Sequence, residues 1–198
     1  MAKLYFDIIT LFPEFFSSPL QTSLLAKSQK KRIIKINLHN LRDFGIGKHK
    51  QVDDRPFGGG PGMVLRVDVL KEALDGVKRS VPPLKGKTKP YVILLDPSGS
   101  RFSQDKAVKL SRKRQIIFIC GHYEGVDDRF KHYVDEEISI GDYILNGGEV
   151  RGKIVPKCSA PHIKSSRECG GRGRGGCGKV SSDNFSDDGK FCVRRGGS

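Results

Sequence analysis

Gln115-Ile116-Ile117-Phe118-Ile119-Cys120, followed at once by Gly121-His122-Tyr123-Glu124-Gly125, is the stretch on which the fold turns. A short run of β-branched and aromatic residues bounded by glycine reads as a buried strand. The glycine-bearing turn leaves that strand at its carboxyl end and carries a carboxylate and two ring side chains. In an open parallel sheet, ligands bind at such ends, so a polar cofactor is one expectation for this turn. The other is a plain strand-to-helix connection, with Asp127 and Asp128 opening the next helix.

Working outward, the neighbouring segments alternate between strand and helix. Leu4 to Phe12 is a near-continuous apolar run and reads as a buried strand, after which Pro13 starts a helix over Glu14 to Lys31. Ile33 to Leu38 alternates as a second strand, Val67 to Val77 has helical spacing, and Tyr91 to Leu95 is a third strand. Ser103 caps a helix reaching Lys113. This alternation predicts an α/β domain with a parallel sheet and flanking helices. The segments 96–99, 121–125 and 141–148 follow strand ends and are expected to converge on one pocket. Arg42 to Met63 has no period and reads as a long loop of the kind that carries function.

The chain has 198 residues, enough for one domain with a short appendage, and a net charge of +14 that suits a polyanionic partner such as nucleic acid. The same basicity fits a merely solvated surface, so the site has to decide. Acidic Asp7 and Glu14 sit near the start and no apolar run reaches membrane length, so neither a secretory signal nor a span is expected, which points to the cytoplasm. Cys120 ends the strand, while Cys158, Cys169, Cys177 and Cys192 form no CxxC pair, so neither zinc nor disulfides are expected and no metal ligands are assigned.

Composition changes after residue 149. Residues 151–198 hold 10 glycines, 11 basic and 4 acidic residues and no apolar period, so half of the net charge lies there. Such a segment buries too little surface to offset its ordering entropy. The expected organisation is a domain over 1–149 and an unfolded Gly/Arg/Cys-rich tail over 150–198. Residues 170–176, Gly-Gly-Arg-Gly-Arg-Gly-Gly, suit an RNA-binding tail; a shifted reading frame is the other reading.

Two further segments carry chemistry. In 51–63, Gln-Val-Asp-Asp-Arg-Pro-Phe-Gly-Gly-Gly-Pro-Gly-Met, side-chain-free backbone amides lie beside Arg55, with Lys48, His49 and Lys50 close in sequence, an arrangement suited to phosphate or equally to a tight structural turn. No Lys-Ser/Thr follows the glycines and no GxGxxG follows the first strand, which places a nucleotide-binding P-loop or dinucleotide enzyme last. Ser139 to Glu149 mixes apolar residues with glycine, as a strand end wrapping a flat ligand does.

The strings 52–63, 120–127 and 139–149, with the opening Phe6-Asp7-Ile8-Ile9-Thr10-Leu11-Phe12-Pro13, resemble in order and spacing the signature segments of bacterial tRNA (guanine-N1)-methyltransferases. The resemblance implies a SPOUT-class domain with a deep trefoil knot, acting as a homodimer that methylates N1 of guanosine 37 of tRNA from S-adenosylmethionine. By similarity, Leu95, Pro97, Gly121, Tyr123, Glu124, Gly125, Ile140, Gly141, Asp142, Tyr143, Ile144, Leu145, Gly147 and Gly148 form the cofactor pocket. Asp53, Arg55, Gly59 and Gly62 meet tRNA. The family also uses magnesium and an aspartate that takes the N1 proton.

Glu124 is assigned to the chemistry as well as the pocket, and Asp183, in Ser182-Asp183-Asn184-Phe185, is the candidate base. The chain departs from the family after Glu149: the apolar helix that completes the knot is not expected in Val150-Arg151-Gly152-Lys153, nor is the C-terminal helical domain. Two functions compete on these grounds. One is an active methyltransferase; the other is an inactive fragment that retains at most cofactor or RNA binding.

Overall fold

A computed structural model of the chain describes residues 4–21, 23–56, 58–80, 89–143, 145 and 147–159. The chain opens with β1 (Leu4–Thr10), passes a 3-10 turn at Pro13–Phe16, and continues through α1 (Ser17–Gln21), α2 (Ser23–Lys30) and β2 (Ile34–Asn40). A small antiparallel pair, β3 (Asp53–Asp54) and β4 (Val64–Leu65), precedes α3 (Val67–Ser80). Then come β5 (Tyr91–Arg101), α4 (Gln104–Ser111), β6 (Gln115–Cys120), β7 (Glu136–Ser139) and α5 (Glu149–Ser159).

The sheet order is β2-β1-β6-β5-β7, and every pairing in it is parallel. β1 and β6 therefore lie inside the sheet and are covered on both faces, which is why their sequences are continuous apolar runs. Side chains along β6 alternate between two layers. Ile117 and Ile119 join the layer packed under α3 with Leu70, Leu74 and Phe130, while Ile116, Phe118 and Cys120 join the opposite layer with Phe16, Leu110 and Val155. The one charge inside β1, Asp7, is fully buried. It accepts hydrogen bonds from Asn37 Nδ2 (2.8 Å) on β2 and Gln115 Nε2 (3.0 Å) on β6, and its Oδ1 lies 3.0 Å from His39 Nε2. The carboxylate thus ties β1 to both neighbours.

Several expectations change. The single helix over 14–31 is a 3-10 turn and two short helices, and the long loop 42–63 contains a further 3-10 turn at Leu41–Phe44 and strand β3. β5 runs on past Leu95 through a bulge, so that Leu95 and Ser100 both pair with Ile138 of β7.

The largest correction is at the expected domain boundary. Residues 150–159 do not begin a tail: they are α5, with Arg151, Gly152, Val155, Pro156 and Ser159 buried. Gly152 and Pro156 hide this helix from a propensity reading. It is held instead by close approach, since a Cβ on Gly152 would lie 2.8 Å from Cys120 Sγ and 3.0 Å from Phe16 Cζ. The rest of the expected tail, 160–198, lies outside the described residues, and Asp183 with it.

Candidate functional site

The turn after β6 is stitched to the segment around β4. Tyr123 takes a left-handed conformation (φ 59°), which is rare for a residue with a side chain. Glu124 N–H donates to Met63 O (3.1 Å), Leu65 N–H to Gly125 O (3.0 Å) and Asp127 N–H to Leu65 O (3.1 Å). The Glu124 side chain lies directly on the Cα of Gly62, where any Cβ would overlap it. The glycine loop is thereby fixed beside the β6 turn, with Gly58, Gly59 and Gly60 exposed on its far side.

From β7, at the sheet edge, the chain crosses β5 and descends against β6. His122 bridges Gly147, and Gly148 N–H donates to Gly121 O at 2.6 Å. A Cβ on Gly148 would fall 2.8 Å from Gly121 N and 2.9 Å from Cys120 Cα, so only glycine lets the two backbones touch. α5 then starts beside β1, where the Thr10 hydroxyl donates to Glu149 Oε1 (3.1 Å). This return of the chain against strands it has already passed is the arrangement that a trefoil knot requires.

Two buried groups set the electrostatics. Arg151 is 4 % exposed; its Nη1 donates to Leu95 O at a long 3.4 Å, and Nη2 has no partner. Burial holds the guanidinium below its usual pKa, and the nearby Asp96, Cys120, Tyr143 and Glu149 oppose that shift. The Cys120 thiol is pushed well up, first by burial and then by Glu149, so it is not a nucleophile. Nearby, Arg129 hydrogen-bonds Asp127 and holds its carboxyl below the usual range.

Leu95, Gly121, Tyr123, Glu124, Gly125, Gly147 and Gly148 are joined by the contacts above or lie between residues that are, and Gly62 joins through Glu124. Pro97 sits in the β5 bulge, Ile140 packs against the layer containing Leu95, and Asp142 is exposed. The Tyr143 ring covers Gly141 and is half exposed; Leu145 lines a cavity with Phe12 and Glu149. Asp53 lies in β3 opposite Leu65, and Arg55 is exposed with no ion pair among the described residues. Ile144 and Asp183 lie outside the described residues. Thr10, Arg151 and Glu149 were not singled out by sequence. The burial of Glu149 follows from the glycine pair before it, but nothing in the sequence signals a buried Arg151.

A family profile described as tRNA (guanine-1)-methyltransferase TrmD matches residues 4–164. The chain is 49% identical over 150 residues to the tRNA (guanine-N(1)-)-methyltransferase of Carboxydothermus hydrogenoformans, a match that takes in 75% of this chain and 56% of that protein. It is 48% identical over 152 residues to the namesake protein of Endomicrobium trichonymphae, covering 75% and 65%. The crystal structure of the tRNA (m1G37) methyltransferase from Aquifex aeolicus superposes with a TM-score of 0.72 at 38% identity, over 82% of this chain and 72% of that one. The chain thus spans less than two thirds of the length of these two curated relatives.

Proposed function

Because the chain belongs to the tRNA (guanine-1)-methyltransferase family TrmD, we propose that it transfers a methyl group from S-adenosylmethionine to N1 of guanosine 37 of tRNA. The observation that carries this reading is the glycine-lined crossing of 147–148 under 121–125, where backbone replaces side chains beside Leu95, Glu124 and Tyr143. A cradle of that kind fits a flat adenosyl group: a Cβ on Gly121 would point toward Leu95 O at 3.7 Å, so the space above it is shaped by absent side chains. When bound, S-adenosylmethionine supplies a methyl on a sulfonium.

This chain's residues do the rest. Leu95, Gly121, Gly125, Gly141, Gly147 and Gly148 hold and orient the cofactor, and the half-exposed Tyr123 and Tyr143 rings close its flanks. Glu124, fixed on Gly62, connects that pocket to the loop at which Asp53, Arg55 and Gly59 meet tRNA. The exposed, unpaired Arg55 beside open glycine backbone supports phosphate contact. A base for the N1 proton is assigned to Asp183. A homodimer is supported by Ile154, which α5 turns outward, and a cytoplasmic setting by the tRNA substrate. No described helix is long and apolar enough to cross a membrane. Among the described residues no cluster of three His, Cys, Asp or Glu suits a metal, so no step is routed through magnesium.

The inactive-fragment reading is weakened by α5, the helix it took to be missing. The deciding experiment is transfer of labelled methyl from S-adenosylmethionine to unmodified tRNA by this chain, with magnesium, beside Asp183→Ala. Methylation of tRNA carrying G37, lost with A37, is expected; binding without turnover by a folded chain would refute the activity.

A further inference from the structure

A cavity of about 500 Å³ lies between the end of β1 and the start of α5, walled by Phe12, Phe15, Leu145 and Val150. Its lining also includes Glu149 and His122. Glu149 is 5 % exposed, and its orientation is locked: Oε1 accepts from the Thr10 hydroxyl (3.1 Å), whose oxygen in turn accepts from Phe12 N–H (3.1 Å). Oε2 has no hydrogen-bond partner among the described residues. It lies 3.7 Å from His122 Nδ1, too far for a hydrogen bond, and that nitrogen is itself buried without a partner. The His122 ring stands edge-on to Phe12 at 5.0 Å. Lys153 Nζ sits 3.4 Å above the Phe15 ring and makes no ion pair among the described residues.

We infer that this cavity is a guanine-selective base pocket read by Glu149, an inference that deepens the methyltransferase reading and rests on it for the place of that guanine in tRNA. A carboxylate only accepts hydrogen bonds, so the base edge facing it must present N–H groups side by side. Guanine does so with N1–H and its 2-amino group. Adenine and cytosine each place an acceptor nitrogen beside their amino group, and uracil flanks its single N–H with carbonyls. The Phe walls supply the stacking surface an unpaired base needs, and the Lys153 ammonium suits its phosphate. Because the carboxylate is buried, a base with the wrong edge leaves it unpaired and is rejected strongly. The pocket also refuses the reaction's product: N1-methylguanine has no N1–H to offer.

The test is calorimetric or NMR titration of the full chain with GMP, IMP, AMP and 1-methyl-GMP. GMP should bind about 10- to 100-fold more tightly than AMP or 1-methyl-GMP, with IMP, which lacks the 2-amino group, in between. Glu149→Gln should erase that preference. Lys153→Ala, at a half-exposed position that leaves the fold alone, should weaken all four nucleotides without changing their order. Equal binding of GMP and AMP, no GMP binding, or a folded Glu149→Gln chain that keeps the preference would overturn the inference. Should Glu149→Gln not fold, the nucleotide series on the native chain and on Lys153→Ala decides. A parallel titration with S-adenosylmethionine separates the two ideas: cofactor binding without base preference defeats the guanine pocket alone, and no cofactor binding defeats the methyltransferase reading.

Discussion

Replacing Gly148 by Ala puts a methyl group where the chain passes under the β6 turn. The added carbon would sit 2.8 Å from Gly121 N and 2.9 Å from both Cys120 Cα and Gly121 O. All three are backbone atoms of a strand end buried inside the sheet, so no rotamer change relieves the overlap. Overpacking of this kind costs roughly 1–3 kcal/mol, and because the 2.6 Å bond from Gly148 N–H to Gly121 O must also stretch, about 3 kcal/mol is expected. Gly121→Ala is the matched control. Its Cβ meets only Val126 Cγ2 at 3.5 Å and Leu95 O at 3.7 Å, ordinary contacts, and neither glycine has the left-handed backbone that would by itself disfavour alanine. Its stability should stay within about 0.5 kcal/mol of the native chain, yet it narrows the proposed cofactor pocket and should weaken S-adenosylmethionine binding at least about tenfold. Urea unfolding followed by circular dichroism, with calorimetric titration of the cofactor, reads both quantities. A Gly148→Ala chain as stable as the native one, or a Gly121→Ala chain equally destabilised, would refute the account of the crossing.

Other perturbations probe different layers. Asp7→Ala removes the acceptor shared by Asn37, His39 and Gln115 and should cost about 3 kcal/mol in urea unfolding, given about 1–3 kcal/mol per buried unsatisfied group; a loss under about 1 kcal/mol would show that water replaces it. Arg151→Met removes a buried cation with an orphaned Nη2 and should raise stability by about 1 kcal/mol, whereas a clear loss would mean that the long bond to Leu95 O matters more. Arg129 and Arg66 hold the carboxyls of Asp127 and Asp68 below their ordinary values, so the stability these pairs contribute is present above about pH 4 and is lost as pH falls through the lowered values. The stability gap between the native chain and Asp127→Asn should therefore close on acidification below about pH 4; a gap that persists into strong acid would contradict that origin.

The central layers of this fold were legible because burial on both faces writes itself into sequence. β1, β5 and β6 are apolar runs, and their glycine-rich exits marked the loops that do converge. β7 was not legible: Glu136-Glu137-Ile138-Ser139 looks polar because it is an edge strand whose glutamates answer Lys106 and Lys131 and accept from the Tyr91 hydroxyl. α5 was missed for a different reason. Its order comes from contacts with Cys120 and Phe16, far away in the chain, while its own Gly152 and Pro156 argue against a helix. Within the site, motif strings located Gly62, Glu124, Gly147 and Gly148. No local pattern could reveal that Glu149 lies against Thr10, because that pairing exists only once the chain has turned back on itself.

The Thr10–Glu149 bond closes a span of 139 residues, and this has a temporal consequence. At a ribosomal rate of about 5–20 residues per second, the first strand waits on the order of 10 s for the helix that anchors its end. Through most of that interval β1 also lacks its β6 neighbour, so one side of it offers an open hydrogen-bonding edge to other nascent chains. High contact order makes the closing step slow as well as late. The ligand-binding face of this molecule is thus the last part to exist, and any interruption of synthesis before α5 leaves a sheet without a site.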